Sequence, residues 1–260
     1  DELYLFGQKK VYHYDAQRDH VTTHQLAFRN QTITRFQDGF VGNSEGYTYG
    51  KDTTFYRITT YDNDFEPIDS LGPYPSSRAD YSLRLDNHFR EYKDGLAFMP
   101  GKNDTLFWYK DDELQPLMKF DFGNNFFWDD EWDTKSLERI INEMQDADKP
   151  RVMSVQFVLQ DEWAHLNLFL TGRPSTRLML NLKTGQHFRL EFSEEFKGWT
   201  LHKFHQKQVG LVTLPSDQVY NLISNLEETQ YSFREGSSLE KIESSENPVI
   251  AWVKFKMPGQ

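Results

Sequence analysis

A two-part unit recurs along this chain in fixed order and limits what it can fold into. The first part is a strand, a tight polar turn and a second strand. Phe36-Gln37-Asp38-Gly39 leads into Phe40-Val41, and Tyr92-Lys93-Asp94-Gly95 leads into Leu96-Ala97-Phe98. Val158-Leu159-Gln160-Asp161 runs on to Leu166, Leu168 and Leu170, and Phe204-His205-Gln206-Lys207 to Val209, Leu211 and Val212. The second part is an alternating apolar strand running into another turn, at 11–17, 56–64, 106–112 and 178–185. A period of two marks a half-buried strand, and a short polar break between two such runs marks a hairpin. The second-part turns, at 15, 62, 111 and 183, lie 47, 49 and 72 residues apart. Four short antiparallel strands in roughly 45 residues match the length of a β-propeller blade.

The expected fold is therefore all-β, a β-propeller of four-stranded antiparallel blades forming one domain over 1–260. Its units fall near 2–28, 29–72, 82–122, 151–192 and 199–256, the first with only three obvious strands. A β-sandwich also has short strands at regular spacing, but it does not require the two-part unit to repeat in order. Two helices are expected as insertions. Over 135–147, Leu137, Ile140, Ile141 and Met144 stand at helical spacing, with Thr134 as a candidate cap. Over 216–230, Ser216 is the candidate cap and Val219, Leu222, Ile223 and Leu226 share a face.

Composition narrows the function classes. Phe, Tyr and Trp together equal the 40 acids in number, so the core is built from rings, which favours strands. The absence of cysteine excludes disulfides, thiolate metal sites and a cysteine nucleophile. A net charge of −11, with no basic run longer than Lys9-Lys10, argues against nucleic acid as a partner. No apolar run reaches the ~18 residues of a membrane span.

The densest chemistry lies in Phe126-Phe127-Trp128-Asp129-Asp130-Glu131-Trp132-Asp133. Carboxylates and indoles this close together suit oxygen ligation of Ca²⁺ or stacking on a sugar ring. Trp128, Asp129, Asp130 and Trp132 form the candidate contact patch. The competing reading is that the acids favour the dipole of the following helix while the aromatics dock it. The spacing is not that of an EF-hand loop. Eight histidines are scattered, and neither His20/His24 nor His202/His205 is spaced to share a metal on a strand. There is no G-x-S-x-G elbow, and Ser76-Ser77 lies in a loop flanked by Pro and Gly. Gly39, Gly42, Gly46 and Gly50 read as separators between strands rather than a phosphate cradle. Asp111-Asp112 and Glu194-Glu195 read as turn charge. No catalytic residue, metal ligand or cofactor is assigned, Ca²⁺ being the one ion the cluster suits.

Three stretches resemble the six-bladed β-propeller lipoproteins of Bacteroidota: DTLFWYKDDELQPLMKFDFGNN at 104–125, ENPVIAWVKFK at 246–256, and DSLGPYP at 69–75, read as a turn after an outer strand. The resemblance implies a propeller at the periplasm or outer-membrane surface, anchored through a lipidated cysteine ahead of residue 1. It also implies that 248–256 is a ring-closing strand. Five units against six imply a missing N-terminal part, a five-bladed ring being the alternative. By this analogy the chain is a non-catalytic binding module for a glycan, peptide or partner protein. The alternatives are a propeller hydrolase or lyase acting on a sugar or lactone, and a scaffold subunit of an outer-membrane complex.

Overall fold

In the computed structural model of the chain, the described residues are 2–7, 9–28, 30–44, 55–74, 89–128, 131–132, 135–146, 148–190, 199–206 and 209–255. The alternating segments form strands that pair in chain order within five sheets. The first sheet holds β1 (Glu2–Phe6), β2 (Lys10–Asp15) and β3 (His20–Gln25). The second holds β4 (Ile33–Phe36), β5 (Gly39–Asn43), β6 (Phe55–Tyr61) and β7 (Pro67–Tyr74). The third holds β8 (Arg90–Tyr92), β9 (Gly95–Phe98), β10 (Thr105–Lys110) and β11 (Glu113–Lys119). The fourth holds β12 (Val152–Leu159), β13 (Trp163–Leu170), β14 (Arg173–Asn181) and β15 (His187–Leu190). The last holds β16 (Thr200–Gln206), β17 (Val209–Leu214) and β18 (Val249–Lys254), with β18 pairing along the whole of β17. All five coincide with the expected units, and the fold is a β-propeller of small antiparallel sheets.

The repeat is also legible in the backbone. Gln37 and Lys93 occupy the same place in the first hairpins of the second and third sheets. Both lie at positive φ, 51° and 53°. In the β10–β11 turn, Asp111 and Asp112 are both left-handed, at 50° and 59°. That is the type I′ pattern, whose twist matches the strands it joins. Gly39 and Gly42 lie inside β5, not between strands. Gly42 is needed for close approach, because a Cβ there would run into the Asn30 side chain. Asn30 in turn donates to the Tyr61 hydroxyl at 2.7 Å. The DSLGPYP segment is likewise strand rather than turn, with residues 69–74 inside β7.

The described residues form two compact units, Asp1–Gln156 with Leu168–Ser175, and Phe157–Asn167 with Thr176–Gln260. In the first unit, Val11, Leu26, Ile33, Phe40, Tyr61 and Phe65 form one core cluster, joined by Tyr4. Val41, Ile58, Phe89, Leu96, Phe98 and Tyr109 form the next. Cross-strand register puts Leu3, Tyr14 and Val21 on one face of the first sheet, together with Leu5 and Tyr12. Leu3, Leu5, Tyr12 and Val21 are exposed there. In the second unit, Val158, Leu201, Val212, Leu214 and Val219 form the core.

Both insertions are shorter than their sequence periodicity suggests. Helix α1 spans Leu137–Met144 and is capped by Ser136, whose hydroxyl accepts from the Arg139 N–H at 3.3 Å; Thr134 lies outside the described residues. The second insertion is broken into a 3-10 turn at Ser216–Gln218, α2 (Val219–Ile223), a 3-10 turn at Glu228–Gln230 and α3 (Leu239–Glu243). Ser216 does not cap α2, and its hydroxyl donates to the Ser245 carbonyl instead. Among the described residues, no helix is long and apolar enough to cross a membrane.

Candidate functional site

The insertion between β11 and β12 begins on the fourth sheet. Phe126 bridges Val152 in parallel, and the Phe127 N–H donates to the Val152 carbonyl at 3.0 Å. The Trp128 Nε1–H donates to the Met153 carbonyl at 2.7 Å. Trp132 meets Trp128 edge to face at 5.2 Å, and Phe127 meets Trp128 the same way at 4.8 Å. Ile140 and Met144 of α1 close over these rings. Trp128 is 5% exposed and Trp132 1%. A stacking platform for a sugar needs an open ring face, and these faces are taken by Ile140, Met144, Met153 and one another. Lys102 lies over both rings, its Nζ 4.3 Å from the Trp132 centroid. Asp129 and Asp130 of the expected contact patch lie outside the described residues. Glu131, between the two tryptophans, is exposed.

Packed on this aromatic base, α1 carries a charge network centred on Glu143. Its carboxylate accepts from Arg151 Nη2 at 2.7 Å, Arg139 Nε at 2.8 Å and Lys135 Nζ at 3.2 Å. These donors, Arg151 foremost, hold the Glu143 carboxyl well below the usual carboxylate range, at about 2. Arg151 sits on a pinned segment. The buried Thr171 makes two hydrogen bonds to the Arg151 backbone: the Thr171 N–H donates to the Arg151 carbonyl at 2.9 Å, and the Thr171 side-chain Oγ1 accepts from the Arg151 N–H at 2.9 Å. The Gly172 N–H donates to the Met144 carbonyl at 2.9 Å, tying the end of α1 to the same turn.

Beside this network opens a cleft of about 670 Å³. Lys135, Arg139, Lys149 and Arg151 line it with Glu131, Glu143 and Asp146. Asn124 and Asn125 add their amides, and Pro150 is the single apolar residue of its described wall. Such a wall offers hydrogen bonds and charge, alongside the aliphatic stems of its Lys, Arg and Glu side chains.

A family model described as "6-bladed beta-propeller" matches residues 2–218. The chain belongs to this six-bladed propeller family. Five of its sheets lie among the described residues, and the match stops at the entry to α2. The fold is also similar to the crystal structure of a "Putative exported protein" from Bacteroides fragilis. That likeness has a TM-score of 0.67 at 14% identity and covers 96% of this chain and 72% of that one. No curated protein matches the chain.

Elsewhere in the propeller, the remaining candidate residues are dispersed. Asp112 accepts from the Tyr109 hydroxyl at 3.0 Å, and burial together with this carboxylate pushes the Tyr109 hydroxyl up. Both residues line a cavity of about 410 Å³ that also holds Asp38 and Asp69. His165 on β13 is buried, and burial pulls its imidazole down to about 4. His202 bonds Thr213 at 2.9 Å. No group of three or more His, Asp or Glu side chains is placed to hold a metal ion among the described residues. Ser76-Ser77, His88 and Glu194-Glu195 fall outside those residues.

Glu143 and its three cations form no motif that the local sequence singles out. Arg139 and Glu143 stand at i, i+4, so that pair was visible as helix-surface pairing. Arg151 comes from a connecting segment and meets Glu143 only through the tertiary fold.

Proposed function

We propose that this chain is a non-catalytic binding module of an exported protein, and that it holds a glycan in the cleft beside α1. The observation that carries the reading is a roomy cleft whose described wall sets amide and charged groups among aliphatic stems, on a helix fixed by buried aromatics. Hydroxyl-rich sugars match such a wall, whereas peptide side chains and protein hot spots call for apolar pockets. Glu131, from the same aromatic and acidic run but not from the expected contact patch, lines the cleft, while Trp128 and Trp132 of that patch support it from behind. The resemblance to Bacteroidota lipoproteins supports a place at the periplasm or outer-membrane surface with a lipid anchor.

Thermal shifts with a panel of neutral and acidic oligosaccharides test this reading. A binding member at 100 times its Kd stabilises the folded protein by about 2.7 kcal/mol, a rise of several degrees. The double variant Asn124→Ala/Lys149→Ala, at two exposed positions of the wall, loses that rise. A panel without a shift, or a double variant that responds like the parent, overturns the proposal.

A further inference from the structure

Two neighbouring stretches of chain build much of the cleft wall. Helix α1 brings Arg139 and Glu143, and the segment just after it brings Lys149, Pro150 and Arg151. Both are held by one two-residue turn, Thr171-Gly172, between β13 and β14. The Gly172 N–H takes the last carbonyl of α1, at Met144. Thr171 holds the other stretch through three bonds. Its N–H donates to the Arg151 carbonyl at 2.9 Å, and its Oγ1 accepts from the Arg151 N–H at 2.9 Å. The same hydroxyl donates to the Lys149 carbonyl at 3.4 Å. One hydroxyl thus serves as acceptor and donor to two residues of the wall. Thr171 is 0% exposed, so it meets no ligand itself and acts only through the residues it holds. We propose that Thr171 is the positioning residue of the cleft: its hydroxyl fixes the 149–151 wall against α1, so that the wall is set before a ligand enters.

For what the cleft binds, this inference rests on the glycan reading; the set of the wall is measured without any sugar. Arg151 is the foremost donor to Glu143, so a shift of Arg151 is recorded in the Glu143 carboxyl, which is held at about 2. Valine keeps the branched side chain and drops the hydroxyl, whereas serine keeps the hydroxyl and drops the methyl group. A hydroxyl that positions the wall is therefore missed in the first variant and retained in the second. A general loss of stability leaves the titration of the folded protein where it was. A wall set in advance also lowers the cost of binding, because fewer groups are ordered as the ligand enters.

Carboxyl NMR follows Glu143 against pH in the parent, Thr171→Val and Thr171→Ser. The valine variant is expected to raise its value by roughly 0.5–1 pH unit, part of what a neighbouring arginine contributes, and serine to keep the parent value. Calorimetry then uses the oligosaccharide that gives the largest thermal shift with the parent. Thr171→Val weakens it by about fivefold, the equilibrium weight of one hydrogen bond, and Thr171→Ser binds like the parent. Amide hydrogen exchange on the parent protein shows the Arg151 N–H protected in the absence of sugar. An Arg151 amide that exchanges as fast as an open loop overturns the proposal even if Thr171→Val does not fold. An unmoved Glu143 in Thr171→Val, or valine and serine variants that behave alike, also overturns it. A raised Glu143 with unchanged sugar affinity removes the role in binding and leaves the glycan reading standing. If no oligosaccharide binds, the glycan reading falls, and the Glu143 titration and Arg151 exchange still decide whether Thr171 sets the wall.

Discussion

The insertion between β11 and β12 buries Phe127, Trp128, Trp132 and Ile140, and it lays a single helix of eight residues over them. The insertion between β17 and β18 buries Val219, and rests otherwise on half-buried Leu222, Ile223, Leu239 and Ile242. Its helices have five residues each, too short to be stable alone; α2 has no side-chain cap, and α3 is capped by Ser238. The Ser238 hydroxyl accepts from the Lys241 N–H, and Glu227 and Gln230 cap each other reciprocally. The contrast shows what each chemistry allows. Large rings buried edge to face hold one short helix firmly enough to display a tertiary charge network. An aliphatic contact with capped turns holds more chain with less force, and its outward residues, such as Tyr220, stay exposed.

If that contrast is sound, truncating the ring at its centre has the largest effect. Trp132→Ala removes a side chain that is 1% exposed. The expected loss is about 3–5 kcal/mol, read as a lower denaturation midpoint in urea. Val219→Ala removes two methyl groups from the other insertion. At about 0.8 kcal/mol or slightly more for each, the expected loss is roughly 2 kcal/mol by the same measurement. Equal losses, or a larger one at Val219, would remove the distinction between aromatic and aliphatic anchoring.

The strand order and sheet boundaries were legible because they rest on local signals. Alternation, tight turns and polar breaks act within a few residues, and the five units fell where their pattern put them. The anchoring role of Trp128 and Trp132 was legible as one of two readings, since rings just ahead of an amphipathic run can either dock it or face a ligand. Helix ends were less legible. The apolar positions Val219, Leu222, Ile223 and Leu226 suit a continuous helix. Yet Leu226 is exposed and the chain turns after Ile223, where the Ser224 N–H bonds the Tyr220 carbonyl. The cleft was the least legible. Thr171, which pins Arg151, is 20 residues away in sequence. Contacts of that separation depend on how β12 and β13 pair, and no local pattern encodes them.

The smallest effect tests the charge network that the aromatic base supports. The carboxyl of Glu143 has its folded value depressed to about 2 from an ordinary 4.5. A depressed acid adds stability that is fully present above the unfolded value and is lost as pH falls through the folded one. The window is therefore from about pH 4.5 down to about pH 2. The depression corresponds to about 3 kcal/mol at 1.36 kcal/mol for each pH unit. The Glu143 side chain is 22% exposed, so solvent screening brings the expected contribution to roughly 1–2 kcal/mol. Glu143→Gln should thus be less stable than the parent by that amount at pH 7, with the two stabilities converging as pH approaches 2. Burial keeps His165 neutral when folded until about pH 4, so its loss of stability starts near 6.5. It is common to both proteins and cancels in the difference between them. Urea unfolding of the pair from pH 7 to pH 2 measures that difference directly. A gap that stays constant down to pH 2 would mean that the three cations hold α1 without drawing on the charge of Glu143. The aromatic base would then be the only feature separating the two insertions.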